Sequence, residues 1–203
     1  MSEQGFTGLG IGMSLNGMKP IIEIMFGDFI TLIADQVINH ITKFSQMYDK
    51  DTCFVVRTPS GGYRGYGATH SQSIETLFLN VPGLEIISPS ILCNPGNLLK
   101  KAINLKKPVL FIENKLDYSS DLLEAGEYKD LIEIKHLENN NWEMKRASII
   151  DETSEITILT HGGMTKSLIE IQEKLFMEDE ISVEIFNLTN ISSIDYNELN
   201  KYI

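Results

Sequence analysis

The chemically capable residues of this sequence are few. They are a carboxylate at Glu3, an imidazole at His70, and the glycine-rich stretch Ser60-Gly61-Gly62-Tyr63-Arg64-Gly65-Tyr66-Gly67 that leads toward the histidine. Imidazole titrates near neutrality, so His70 can steady charge or move a proton; a histidine closing a glycine loop serves equally well as a structural residue. The loop reads either as a flexible crossover or, given its length and two tyrosines, as a binding loop. On composition alone Glu3 is an exposed acid near the chain start. Gly5, Gly8, Gly10 and Gly12 never give the G-x-G-x-x-G spacing, and no strand precedes them, so close helix packing is the better reading than phosphate cradling. The loop ending at Gly67 lacks the Lys-Ser/Thr of a P-loop, and no G-x-S-x-G elbow is present. His40, His70, His136 and His161 show no metal-ligand spacing, so no protein metal site is expected. Cys53 and Cys93 form no CxxC pair and lie in apolar runs, which predicts buried free thiols and a reducing compartment.

With 203 residues and 42% hydrophobic content, the chain can form one full domain plus part of a second. A net charge of -11 argues against a nonspecific grip on nucleic acid and against an anionic membrane surface, since both need excess Lys and Arg. No apolar run approaches the ~18 residues of a membrane span. The first residues have neither the basic region nor the apolar core of a signal peptide. A cytoplasmic protein is expected.

Short apolar runs alternate with segments of helical period, the pattern of an α/β fold with a mainly parallel sheet flanked by helices. A strand is predicted from Pro20 to Phe26. A long helix follows, N-capped by Asp28, with Phe29, Ile33, Val37, Ile41 and Phe44 on one stripe. Further strands are predicted at Cys53–Thr58, Leu84–Ser88 and Val109–Ile112, with a short helix carrying Ile74, Leu77 and Phe78 between the first two. Asn94-Pro95 starts another helix. These complete a first domain at residues 1–115. Residues 116–147, more polar and containing Asn139-Asn140-Asn141, are read as a linker with some extended structure. A partial second α/β domain spans 148–203. In it Ile156, Ile158 and Leu159 form a strand, Met164, Leu168, Ile171 and Leu175 an amphipathic helix face, and Ile181, Val183 and Ile185 a half-buried strand.

Three stretches, in order, resemble a known family. They are Ser2-Glu3-Gln4-Gly5-Phe6 with the glycine-rich segment behind it; Pro20 through Phe29 (PIIEIMFGDF) with Ala34-Asp35-Gln36-Val37-Ile38-Asn39; and Arg57-Thr58-Pro59 through the glycine loop to Thr69-His70-Ser71-Gln72. The set is similar to the pyrimidine-binding domain of 2-oxoacid dehydrogenase beta subunits (pyruvate, branched-chain and acetoin types), within the transketolase-like group. The resemblance continues through Val109-Leu110-Phe111-Ile112-Glu113-Asn114 into the partial second domain.

The resemblance implies thiamine diphosphate as cofactor. It gives Glu3 a hydrogen bond to N1′ of the aminopyrimidine, which favours the imino tautomer whose nitrogen takes the proton from C2. It lays Phe29 on the pyrimidine face, where an aromatic fixes the plane of a flat heterocycle, and lines the same pocket with Met25. It sets His70 beside the reacting carbon, with Ser71 and Gln72 orienting it or its loop. The diphosphate and its Mg2+ belong, in the family, to a Gly-Asp-Gly…Asn motif on an alpha subunit, and this chain has none. The implied partners are that alpha subunit, in an alpha2-beta2 assembly, and a lipoyl-bearing acyltransferase.

The sequence departs from the family pattern in three places. Only Met1 and Ser2 precede Glu3, a position where chain ends fray unless tied down. The second domain stops at Ile203. Leu105 and Lys107 stand where some members carry cation-binding residues, so no monovalent cation is expected, and the Lys107 ammonium is expected near the same carbonyls. The alternatives are half of a split transketolase or of a biosynthetic carboligase, or a truncated non-catalytic scaffold.

Overall fold

The computed structural model describes residues 2–137, 142–194 and 196–202. The chain divides into two units: one runs to Ile87 and includes Gly96–Lys115, and the other comprises Ser88–Pro95 and Leu116–Ile203.

The first unit contains helix α1 (Glu3–Leu15), strand β1 (Ile21–Glu23), a helical rod ending in α2 (Thr42–Tyr48), strands β2 (Phe54–Ser60) and β3 (Glu85–Ile87), helix α3 (Pro95–Asn104) and strand β4 (Pro108–Asn114). Its sheet has the order β1-β2-β4-β3, with every neighbouring pair parallel. β2 and β4 are central and buried on both faces, which is why they read as near-continuous apolar runs rather than as alternation. In an all-parallel sheet the carboxyl ends share one edge, so the loops leaving β1 and β2 emerge side by side. Arg57 ties that end together. Its Nη1 lies 2.9 Å from Glu23 Oε2 on β1 and its Nε 2.7 Å from Glu113 Oε2 on β4. Small residues let α1 press onto the sheet: a Cβ added at Gly10 would lie 2.5 Å from Ile22 Cδ1 and 3.2 Å from Phe54 Cε2.

The rod after β1 is not the single α-helix expected, and Asp28 does not cap it. It begins as a 3-10 helix at Gly27–Ile33, widens to a π turn at Gln36–Ile41 and only then becomes α2. The capping position is Phe26, with no side-chain cap bond. The cause lies in the spacing of the apolar row. Ile33, Val37 and Ile41 recur at a strict interval of four, and all three are buried. At 3.6 residues per turn such a row drifts around an α-helix; the wider π turn brings it back onto the core. The Thr42 hydroxyl supports the wide turn by donating to Val37 O, five residues back, at 3.1 Å.

The second unit holds a five-stranded sheet of order β5-β6-β7-β9-β8, built from β5 (Gly126–Tyr128), β6 (Ile132–Leu137), β7 (Met144–Ile149), β8 (Ile156–Thr160) and β9 (Val183–Leu188), with helix α4 (Met164–Asp179) joining β8 to β9. β8 and β9 are parallel and the other pairs antiparallel. This corrects the expected linker: within 116–147, residues 126–128, 132–137 and 144–147 are strand residues of the second sheet. They alternate, with Ile132 and Ile134 inward and Glu133 and Lys135 outward, as antiparallel strands wet on one face do. Asn139, Asn140 and Asn141 lie outside the described residues.

The buried face of α4 also differs from the expected stripe. Thr165, Ile169 and Gln172 face inward, while Met164 and Ile171 are exposed. The inward donors are bonded: Gln172 Nε2 donates to Ala147 O (3.1 Å) and Val183 O (2.6 Å), and Thr165 Oγ1 accepts from Asn187 Nδ2 (2.8 Å), while Gln172 Oε1 has no partner among the described residues. Gln172 thereby spans two strands. Replacing it with leucine is expected to lower stability by about 1–3 kcal/mol in urea denaturation, whereas Ile171→Ala, at an exposed site, should stay within about 0.5 kcal/mol.

Cys93 sits among Ser90, Asn187 and Thr189, and burial pushes its thiol up to about 11. A raised thiol pKa means very little thiolate at pH 8, roughly one part in a thousand. Iodoacetamide at pH 8 is therefore expected to label half-buried Cys53 in the native chain and Cys93 only after unfolding, as read by peptide mass.

Candidate functional site

Both loops at the carboxyl edge of the first sheet carry the residues singled out above. After β1 the chain passes Ile24 and Met25 to Phe26, then enters the 3-10 helix at Gly27. Gly27 runs so close to the end of β2 that an added Cβ would lie 3.0 Å from Pro59 O, a backbone atom. The glycine loop after β2 returns through a short helical turn at Ala68–His70. Gln72 then crosses to the first loop, its Nε2 donating to Asp28 Oδ1 at 2.7 Å.

The result is an aromatic cluster around His70. The imidazole stands edge-to-face with Phe26 (centroids 4.5 Å, 84°) and with Phe29 (5.5 Å, 74°); Phe26 also meets Phe29 (5.8 Å) and Tyr66 (5.9 Å) edge-on. His70 Nδ1 is 2.9 Å from Thr69 Oγ1. If the hydroxyl donates, Nε2 carries the proton. Phe26, Phe29 and His70 are each half-buried.

The structure thus brings Phe29 and His70 together, although they lie 41 positions apart (70 − 29). Met25 does not join them. It is 73% exposed, and the extended backbone at Phe26 turns successive side chains to opposite sides. Glu3 occupies the first turn of α1, which packs against the 3-10 helix bearing Phe29. The helix start is tied down: Ser2 Oγ accepts from Gly5 N (3.1 Å), and Ser2 O accepts from Phe6 N (3.1 Å). A carboxylate in a first helical turn is favoured by the helix dipole. Glu3 is half-buried, and among the described residues its carboxylate makes no hydrogen bond or ion pair.

Asp28 supplies a second acid. Its side chain is buried, and Oδ2 has no hydrogen-bond partner among the described residues. A buried carboxylate oxygen in that state is costly unless a donor arrives. The cluster therefore has the parts for a flat heterocycle with a polar edge: aromatic faces, an orphaned buried acceptor and an uncommitted carboxylate on the neighbouring helix. Among the described residues no three His, Cys, Asp or Glu are grouped to hold a metal ion. Lys107, expected among turn carbonyls, pairs instead with Glu85 Oε1 at 3.0 Å.

Sequence reading missed Phe26, Tyr66, Arg64 and the carboxylate of Asp28. The signal for Arg64 was present, since it is the one Asp, Glu, Lys or Arg between Arg57 and Glu75.

A family model described as the transketolase pyrimidine-binding domain matches residues 1–120. Among curated proteins, the chain is 33% identical to the pyruvate dehydrogenase E1 component subunit beta-1 of Arabidopsis thaliana mitochondria, covering 98% of this chain and 53% of that protein. It is 33% identical to the 2-oxoisovalerate dehydrogenase subunit beta of Bacillus subtilis (96% and 57%). It is also 33% identical to the acetoin:2,6-dichlorophenolindophenol oxidoreductase subunit beta of Cupriavidus necator (96% and 55%). The chain spans little more than half the length of these relatives. Among solved structures it shares the fold of a split-gene transketolase in an inactive beta4 tetramer, with a TM-score of 0.65 at 20% identity, covering 99% of this chain and 59% of that one.

The Gln72–Asp28 bond joins the two loops. Gln72→Ala is expected to leave Asp28 Oδ1, like Oδ2, without a side-chain donor and to lower stability by about 1–3 kcal/mol in urea denaturation. Substitution of the equally exposed Gln4 should change little.

Proposed function

We propose, from the premise that this chain belongs to the family of transketolase pyrimidine-binding domains, that it is the beta-subunit part of the decarboxylating component of a 2-oxoacid dehydrogenase. It holds the aminopyrimidine of thiamine diphosphate at an interface with an alpha subunit. One observation carries the reading: alignment with the beta subunits of pyruvate, branched-chain and acetoin enzymes runs along 96–98% of the chain. The aromatic cluster at the sheet edge supports it, because it brings Phe29, which the family pattern lays on the pyrimidine, next to His70, which that pattern sets beside the reacting carbon.

When bound, the cofactor supplies the carbanion chemistry that releases carbon dioxide from a 2-oxoacid. The chain supplies orientation and protons. Glu3 would share a proton with N1′ of the pyrimidine, and its lack of other partners among the described residues suits that task. Phe29 fixes the ring plane by stacking. Asp28 Oδ2, the orphaned acceptor, can receive an amino hydrogen. His70 would steady charge at the reacting carbon, whereas Met25, exposed and turned to the side opposite Phe26, takes no part in holding the ring.

The diphosphate and its Mg2+ fall to the alpha subunit, which in the family carries the Gly-Asp-Gly…Asn motif. An alpha2-beta2 assembly and a lipoyl-bearing acyltransferase as acceptor complete the proposal. Two free cysteines suit a reducing, cytoplasmic setting.

Calorimetry checks the division of the site. The isolated chain should bind thiamine diphosphate with Kd weaker than about 1 mM, and tight binding by the chain alone would overturn the two-chain site. With an alpha partner supplied, Glu3→Gln is expected to lower kcat by about 100-fold or more without preventing assembly. Undiminished turnover of that variant would remove Glu3 from the mechanism.

A further inference from the structure

The loop between β2 and His70 has little to hold its shape. Gly61, Tyr63, Gly65 and Gly67 all have positive φ, and Tyr63 is 97% exposed. Two backbone bonds close it, Gly61 N to Gln72 O and His70 N to Gly67 O, and both are long at 3.4 Å. The short bonds come from one side chain. Arg64 Nε donates to Gly61 O at 3.1 Å, and Nη2 donates to His70 O at 2.7 Å. The same guanidinium lies 5.4 Å from the centre of the Tyr66 ring, and Tyr66 in turn meets Phe26 edge-on at 5.9 Å.

We propose that Arg64 is the positioning residue of this site: its planar fork ties the Gly61 carbonyl at the start of the loop to the His70 carbonyl at its end and thereby sets the His70 ring against Phe26 and Phe29. The chemistry of arginine suits the task. Five N–H donors in a rigid fork can span two carbonyls, and the delocalised cation can rest on an aromatic face at the same time. A lysine ammonium is a point charge on a flexible stem and reaches one carbonyl. Arg64 acts through His70. What His70 then does rests on the function proposed above, but where His70 sits does not.

The test uses the isolated 203-residue chain, without cofactor or partner, so its failure is separate from failure of the functional reading. Proton–carbon NMR of the histidine rings reports position, because the Phe26 and Phe29 ring currents shift His70. In Arg64→Ala the His70 ring signals are expected to move toward those of a free histidine, while His40, His136 and His161 stay in place. Chymotrypsin cleavage after Tyr63 and Tyr66 is expected to rise about tenfold or more as the loop opens. Arg64→Lys should fall between wild type and Arg64→Ala in both readouts. Unmoved His70 signals with unchanged cleavage would overturn the proposal. So would movement of all four histidines with cleavage throughout the chain, which marks general unfolding. An Arg64→Lys variant matching wild type would reject the two-carbonyl fork.

Discussion

The close passage of Gly27 across the end of β2 is the constraint on which the candidate site depends. β1 and β2 pair in parallel with Glu23 opposite Arg57, so the chain leaving β1 must turn over Pro59 and Ser60. Only a residue without a side chain passes there unstrained, because Pro59 O is backbone and cannot swing aside. The 3-10 helix starts at that point, which sets Asp28 within reach of Gln72 and Phe29 within reach of His70. A side chain at Gly27 would press on Pro59 O and shift the two loops against each other by a few tenths of an ångström. Arg57 secures the same edge from beneath by bridging β1, β2 and β4 through its two carboxylate partners.

The cluster combines apolar faces with carboxylate oxygens, Asp28 Oδ2 and those of Glu3, that have no donor among the described residues. Such a combination is poor design for a self-contained core and good design for a surface that another molecule completes. The half-buried rings avoid full solvent exposure by packing edge to face, a geometry that aromatic quadrupoles favour. Asp28 Oδ2 remains without a donor at some cost to the free chain, and costs of this kind collect at functional sites. On the proposed reading, each chain of the assembly brings one half of the ligand's chemistry, and neither half is a site alone.

The sequence made some of this legible and hid the rest for identifiable reasons. β2 and β4 were visible because burial on both faces leaves unbroken apolar runs, and α3 was visible because Asn94-Pro95 marks a helix start. β6 and β7 read as linker in the sequence because charged residues, Glu133, Lys135, Lys145 and Arg146, interrupt their apolar positions. The inner face of α4 was misread because Thr165 and Gln172 are buried by hydrogen bonding, which apolar periodicity does not record. Phe29 and His70 stood out as part of an ordered set of motifs. Their contacts with Phe26 and Tyr66, and the Arg64 fork, join residues whose relation exists only once the loops have met.

The π turn at Gln36–Ile41 has a consequence for how this pocket can be adjusted. Along one continuous rod, the row Ile33-Val37-Ile41 is locked into the core while Phe29, one step earlier, looks toward the cluster. The angle between that ring and the locked row is set by how much over-winding precedes it and how much under-winding follows. A single residue gained or lost inside the wide turn would therefore rotate Phe29 and Ile33 together relative to Ile41 by roughly a quarter turn, with no change to any residue lining the cleft. The helix works as a vernier for the ring, with its dial two turns away from the chemistry.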